Sequence, residues 1–264
     1  MLMRSKWLAV LFMLSCLFTS SAGAATPKPL QMLFVGNSLT YVGNLPSVLE
    51  SLAASNGNPL QADMIVKGGA TLTQWLDSGS VPRALAAKHY DYVVLQERGN
   101  DFACGFGPQV CKDSRHALRA LAGIVRTAGA KPILLGTYEP DTEGAATLVD
   151  AEAKAARSTG MPYIAVSNLF VTGMKRYPNA DWVRADHHPG HALVLLDAVL
   201  LYRQLYGTLP PSTSFDVKAP MYVPGSQFAA PAPLSTPLGN KAIAPGHHYT
   251  RDDMGRTISL AGGG

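Results

Sequence analysis

The chain is 264 residues long, with 47% hydrophobic and 15% charged residues and a formal net charge of +4. This length and apolar content can bury one sizeable core, and so few charges exclude intrinsic disorder for most of the chain. The weak positive balance comes without any dense Lys/Arg run, so no nucleic-acid partner is expected.

The N-terminus reads as an address. Arg4 and Lys6 precede a short apolar stretch, Trp7–Phe18, whereas a membrane span takes about 20 residues. Small residues follow and end in Ala22-Gly23-Ala24. A basic start, a short apolar middle and an Ala-x-Ala exit describe a secretory signal peptide over residues 1–24, cleaved after Ala24. Acylation at Cys16 is the alternative, although Met13 stands where a lipoprotein signal usually carries Leu. The mature protein is expected to be secreted or periplasmic, with no stable membrane span. In an oxidising compartment the two remaining cysteines, Cys104 and Cys111, are expected to form a disulfide closing the loop Gly105–Val110.

Five short apolar runs then recur along the chain: Met32–Val35, Ala62–Val66, Tyr92–Leu95, Ile133–Leu135 and Tyr163–Val166. They do not alternate with polar residues, as strands covered on both faces should not. Helical patterns separate them. Ser114–Ala130 gathers Ala117, Leu118, Leu121, Ile124 and Val125 on one face; Leu45–Ser55, Gly144–Ser158 and Gly190–Tyr206 each stop before a glycine. Strands joined by helix-length crossovers imply a three-layer α/β/α sandwich with about five parallel strands over residues 25–207. Residues 208–264 contain eight prolines and no helical period, and read as an extended Pro-rich tail, parts of which Phe215, Tyr222 and Phe228 could anchor on the domain.

Ligands of such sheets bind beyond the carboxyl ends of the strands, and four segments there are rich in chemistry. The first strand runs into Gly36-Asn37-Ser38-Leu39-Thr40, where a serine is either an exposed nucleophile or an ordinary helix cap. The second ends in Lys67-Gly68-Gly69, whose glycines allow close backbone approach. The third ends in Gln96-Glu97-Arg98-Gly99-Asn100-Asp101, a polar cluster or a solvated loop. Asp186-His187-His188-Pro189 precedes the last helix, with Pro189 suited to its first position, and could bring an imidazole to the serine.

Together these segments resemble the SGNH/GDSL hydrolase superfamily over residues 31–207. The family's Gly-Asp-Ser block reads Gly36-Asn37-Ser38, a variant found in one branch; its glycine block falls on Gly68 or Gly69; its Asp-x-x-His block is matched imperfectly by Asp186-His187-His188. Position 185 is Ala where the family has Asp, and the Gly-x-Asn-Asp block is displaced to Gly99-Asn100-Asp101. The resemblance implies a flavodoxin-like fold and ester hydrolysis without a cofactor. Ser38 would be the nucleophile, His188 the base and Asp186 its support. The oxyanion hole would hold the Ser38 and Gly69 N–H groups and a side-chain amide, from Asn100 or Gln96. A short-chain, acetyl-type ester on a carbohydrate is the expected substrate. An acyltransferase using the same site, a non-catalytic glycan-binding protein, and a metal site among Asp186, His187, His188, His191, His247 and His248 are the alternatives.

Overall fold

The computed structural model describes residues 28–228 and 246–263. The expected signal peptide and Cys16 lie outside the described residues.

Strand β1 (Leu30–Gly36) lies at the heart of the sheet. It pairs in parallel with β2 (Leu60–Val66) on one side and β3 (Tyr92–Leu95) on the other. Strands β4 (Lys131–Leu135) and β5 (Tyr163–Ile164) continue beyond β3, giving the parallel order β2-β1-β3-β4-β5. Side chains alternate across a strand, and in β1 both sets are buried: Met32 and Phe34 enter one core, Leu33 and Val35 the other. The near-continuous apolar runs follow from this two-sided burial.

The first core is covered by helices α2 (Leu45–Ser55) and α8 (His191–Tyr206). The second is covered by α3 (Leu72–Asp77), α4 (Ser80–Ala87) and α5 (Pro108–Thr127), while α6 (Thr142–Arg157) and α7 (Ser167–Arg176) close the β5 side. A four-residue helix, α1 (Ser38–Tyr41), follows β1 directly. The expected three-layer sandwich of five parallel strands is therefore present. The chain passes from β1 to β2 on one side and then crosses back from β2 to β3 on the other, a reversal that opens a crevice beyond the end of β1.

Three local expectations need correction. Cys104 and Cys111 are bridged, but Cys111 sits in the first turn of α5 rather than on a loop, because Pro108 is accommodated at the helix start. Pro189 does not begin α8; Gly190 is the N-cap, and Pro189 instead makes a bridge with Val183. The tail is not merely extended. It forms β6 (Phe215–Val217) and β7 (His247–Tyr249), an antiparallel pair, and then α9 (Arg251–Gly262).

Helix α9 begins with a capping box between Thr250 and Asp253 and buries Met254, Thr257, Leu260 and Ala261 at helical spacing. The prolines of the segment lie elsewhere. The need for it is written in α8, where every residue from Leu193 to Tyr202 is buried. A helix apolar all round must be covered all round, and the tail supplies the missing side: Phe215, Val217, Tyr249, Met254 and Leu260 belong to the same core as α8.

One joint in this packing is pH-sensitive. The rings of His191 and His247 stack face to face, with centroids 3.7 Å apart. Burial holds both imidazoles below the usual histidine range, against the pull of Asp181 and Asp253. Below pH 6.5 the unfolded chain therefore takes up protons that the folded joint refuses, so the joint's contribution is full above that pH and fades as pH falls. The buried carboxyls of Glu97 and Glu152, raised to about 7, act in the opposite sense, so a difference measurement is required. His247→Phe, which keeps a ring without the charge, is expected to narrow its Tm deficit or gain on the parent as pH is lowered from about 7.5 to 5.5. Parallel Tm curves for the two proteins would remove His247 as the source.

Candidate functional site

The crevice is organised by Asn37. Its side chain is buried, and its Nδ2 donates to the carbonyls of Ala70 at 3.1 Å and Glu97 at 3.2 Å. Its Oδ1 accepts the N–H of Leu39 at 2.9 Å and so caps α1. One amide thus ties together the chain after β1, β2 and β3. Only an NH2 group can serve two carbonyls while its oxygen caps the helix; a carboxylate would oppose both. This is a physical reason for Asn in the place where the resembled family carries Asp.

The neighbours of Asn37 are fixed by the same logic. A Cβ on Gly36 would lie 2.1 Å from the Thr40 Oγ1, so the residue before Asn37 has to be glycine. Trp75 donates its indole N–H to the Gly36 carbonyl at 2.8 Å. Glu97 is buried and accepts the N–H groups of Leu72 and Arg98. Burial pushes its carboxyl up to about 7, with those two N–H groups working against the rise. These contacts hold the 67–72 turn that carries Gly69, which adopts φ +68°, a conformation open to glycine at little cost.

Ser38 is half-buried at the first position of α1, where the backbone N–H has no partner within the helix. The Gly69 N–H makes no backbone hydrogen bond either. Both residues line two cavities that flank Ser38. The first, about 730 Å³, includes Tyr41, Lys67, Trp75, Ser78, His188 and the stretch Gly225–Phe228. The second, about 630 Å³, includes Leu39, Arg98, Tyr138, Phe170, Met174 and His187. The structure therefore places Ser38 and Gly69 on both cavities, with His188 lining the first and His187 the second.

Ser38 and His188 line a common space without a hydrogen bond between them. The Nδ1 of His188 lies 3.3 Å from the Asp186 Oδ1, without the alignment of a hydrogen bond. Asp186 also accepts the His188 N–H at 3.3 Å. Burial raises the Asp186 carboxyl, but this N–H, the imidazole and Arg184 together outweigh it and hold the group below its usual range. The loop itself is pinned by Tyr138, whose hydroxyl donates to the His187 carbonyl at 2.8 Å. His187 has φ +64°, and Tyr138 packs edge-on against Phe170.

Neither side-chain amide expected at the oxyanion position lines these cavities. The Gln96 Oε1 accepts the Thr40 hydroxyl at 2.6 Å behind β1. Asn100 donates to Glu139 and lines a separate hollow with Asp141. Their position in the chain was right for the sheet edge, but the Gln96 oxygen and the Asn100 amide are bonded to neighbouring segments, and the Gln96 Nε2 makes no hydrogen bond among the described residues. Among the described residues no group of three or more His, Cys, Asp and Glu side chains is placed to hold a metal ion. The sequence did not mark the cavity-lining residues Trp75, Tyr138 and Gly225–Gln227; Asn37, inside the recognised block, and Phe228, an aromatic expected to anchor the tail, carried a signal.

Asn37→Asp is expected to lower stability by about 2–3 kcal/mol at neutral pH, because two buried carbonyls lose their donor. Chemical denaturation of the purified variant would measure this, and an unchanged midpoint would show that the amide is not holding the strand ends.

No protein-family model matches the sequence, and no curated protein matches it either. Solved structures do match in fold. A structure described as an SGNH hydrolase from Slackia heliotrinireducens shares 24% identity at a TM-score of 0.54, covering 67% of this chain and all of that one. An acetylxylan esterase from Geobacillus stearothermophilus shares 16% at 0.55, covering 69% of this chain and 96% of its own. A lipase/acylhydrolase from Enterococcus faecalis shares 18% at 0.52, covering 69% and 98%. The chain has the fold of the SGNH hydrolases.

Proposed function

We propose that this SGNH-fold protein is an exported serine esterase that removes a short, acetyl-type acyl group from a hydroxylated, carbohydrate-like alcohol. The observation that carries the reading is that Ser38, Gly69 and His188 line one cavity at the crevice beyond β1. Neighbours of the same fold described as acetylxylan esterases support the substrate class. The Ala-x-Ala exit at Ala24 and the Cys104–Cys111 bridge support export.

In this reading the Ser38 Oγ attacks the ester carbonyl carbon while its proton passes to His188. The negative charge that develops on the carbonyl oxygen is met by the N–H groups of Ser38 and Gly69, each such donor being worth about 3 kcal/mol of barrier. The C–O bond to the alcohol breaks and the alcohol leaves with the proton from His188. Water then attacks the acyl-serine as His188 takes its proton; the bond from the acyl carbon to the Ser38 Oγ breaks, His188 returns the proton to that oxygen, and the carboxylic acid departs. Asp186, 3.3 Å from Nδ1, would support the ring in this reading once the two align as a hydrogen bond. A sugar hydroxyl in place of water would make the same site an acyltransferase.

The second cavity favours one competing reading. Leu39, Pro140, Phe170 and Met174 give it an apolar wall on the far side of Ser38 from His188, which would suit a longer acyl chain. A series of aryl esters from acetate to decanoate separates the two: kcat/KM is expected to be highest at the short end, and an optimum at medium chain length would replace the acetyl-type assignment.

Ser38→Ala is expected to abolish turnover and fluorophosphonate labelling, which peptide mapping would place on Ser38 in the parent. His188→Ala is expected to lower kcat about 10³-fold and His187→Ala less than about tenfold. The reverse order would transfer the base to His187, and full activity in Ser38→Ala would end the esterase reading. Glycan binding with no turnover would identify the protein as a binding module on the same fold.

A further inference from the structure

The tail does more than cover α8: it builds one wall of the Ser38 cavity. After β6 the chain runs along α1 and is fastened there at several points. Asn44 donates its side-chain N–H to the Pro220 carbonyl at 2.7 Å, and the Gly43 N–H donates to the Tyr222 carbonyl at 3.1 Å. Val42 and Tyr222 form a parallel bridge. The Phe228 ring packs 4.8 Å from that of Tyr41 and 5.1 Å from that of Tyr222. Between these anchors a tight turn, with Ser226 bonded to the Val223 carbonyl and Gly225 at φ +77°, presents Gly225–Phe228 to the cavity.

The side of Ser38 on which this wall stands decides what it can touch. A general acid must reach the oxygen that leaves. His188 lies in the strap-walled cavity and not in the apolar one, so the leaving alcohol belongs on the strap side and the acyl group on the other.

We infer that residues Gly225–Phe228 are the specificity-determining wall for the leaving alcohol, with Gln227 and Phe228 selecting a hydroxylated ring. This rests on the esterase reading above. Gln227 is exposed and Phe228 half-buried at the cavity. The amide can both donate to and accept from hydroxyl groups, while the Phe228 ring, backed by Tyr41, offers an apolar face. Lys67 and Ser78 on the opposite side add further polar contacts.

The test compares two esters of one acyl group, an acetylated oligosaccharide and ethyl acetate, on the full-length secreted protein. Phe228→Ala is expected to lower the ratio of their kcat/KM values, oligosaccharide over ethyl, by about tenfold, and Gln227→Ala by about threefold, mainly through KM for the oligosaccharide. Phe228→Leu keeps apolar bulk at the joint with Tyr41 and should lower the ratio by an intermediate amount. Ratios unchanged in all three variants, with Ser38 still labelled by a fluorophosphonate, would overturn the strap assignment and leave the esterase reading standing. A parent that hydrolyses ethyl acetate but not the oligosaccharide would overturn it as well. A parent whose Ser38 takes no label would overturn both.

Discussion

The crevice depends on a single buried amide. Asn37 spends both N–H groups on carbonyls from the β2 and β3 connections and its oxygen on the first turn of α1. Buried polar groups are costly unless paired, so each of these bonds is obligatory once the site is enclosed, and together they fix three loops against one another. Ser38 is the next residue, and Gly69 precedes the Ala70 that Asn37 holds. The relative position of the two N–H groups proposed to receive an oxyanion is thus set by one side chain.

Around that amide lies a shell of side chains that serve position. Glu97 braces the Gly69 turn, Trp75 holds the end of β1, and Gln96 takes the Thr40 hydroxyl. Two of the polar residues that crowd the end of β3 in the sequence, Glu97 and Asp101, are fully enclosed. Their density reflects the number of backbone groups left unpaired where strands end. In the proposed chemistry the reacting groups are few and the supporting ones many, as preorganised sites require.

The tail links stability to selectivity. Because α8 is apolar on every side, the chain beyond Gly207 has to return and cover it, and α9 with the β6–β7 pair does so. Its path back over the domain lays the Pro220–Phe228 stretch on α1. The wall beside Ser38 is then a consequence of how the last helix of the α/β layer is buried. A change in tail length or anchoring would alter the cavity without touching the sheet.

Much of this was legible in the sequence. The apolar runs of β1 to β5 and the glycine stops of α2, α6 and α8 report interactions local to each element: two-sided burial and helix termination. The Gly36-Asn37-Ser38 block pointed to the crevice because sharp turns constrain residue type strongly. The direction of side chains after β3 was not legible. Gln96 and Asn100 occupy the right edge, and whether an amide faces a ligand or a neighbouring loop depends on partners far away in the chain, here Thr40 and Glu139. The same holds for the tail, where proline density masked α9 and nothing local announced that Phe228 meets Tyr41. By itself the sequence determined the layers, their order and the serine at the sheet edge, since these follow from periodicity and turn chemistry. Which imidazole lines which cavity beside Ser38, where the Gln96 and Asn100 side chains turn and what closes the cavity were decided by tertiary structure, because long-range contacts leave no periodic trace.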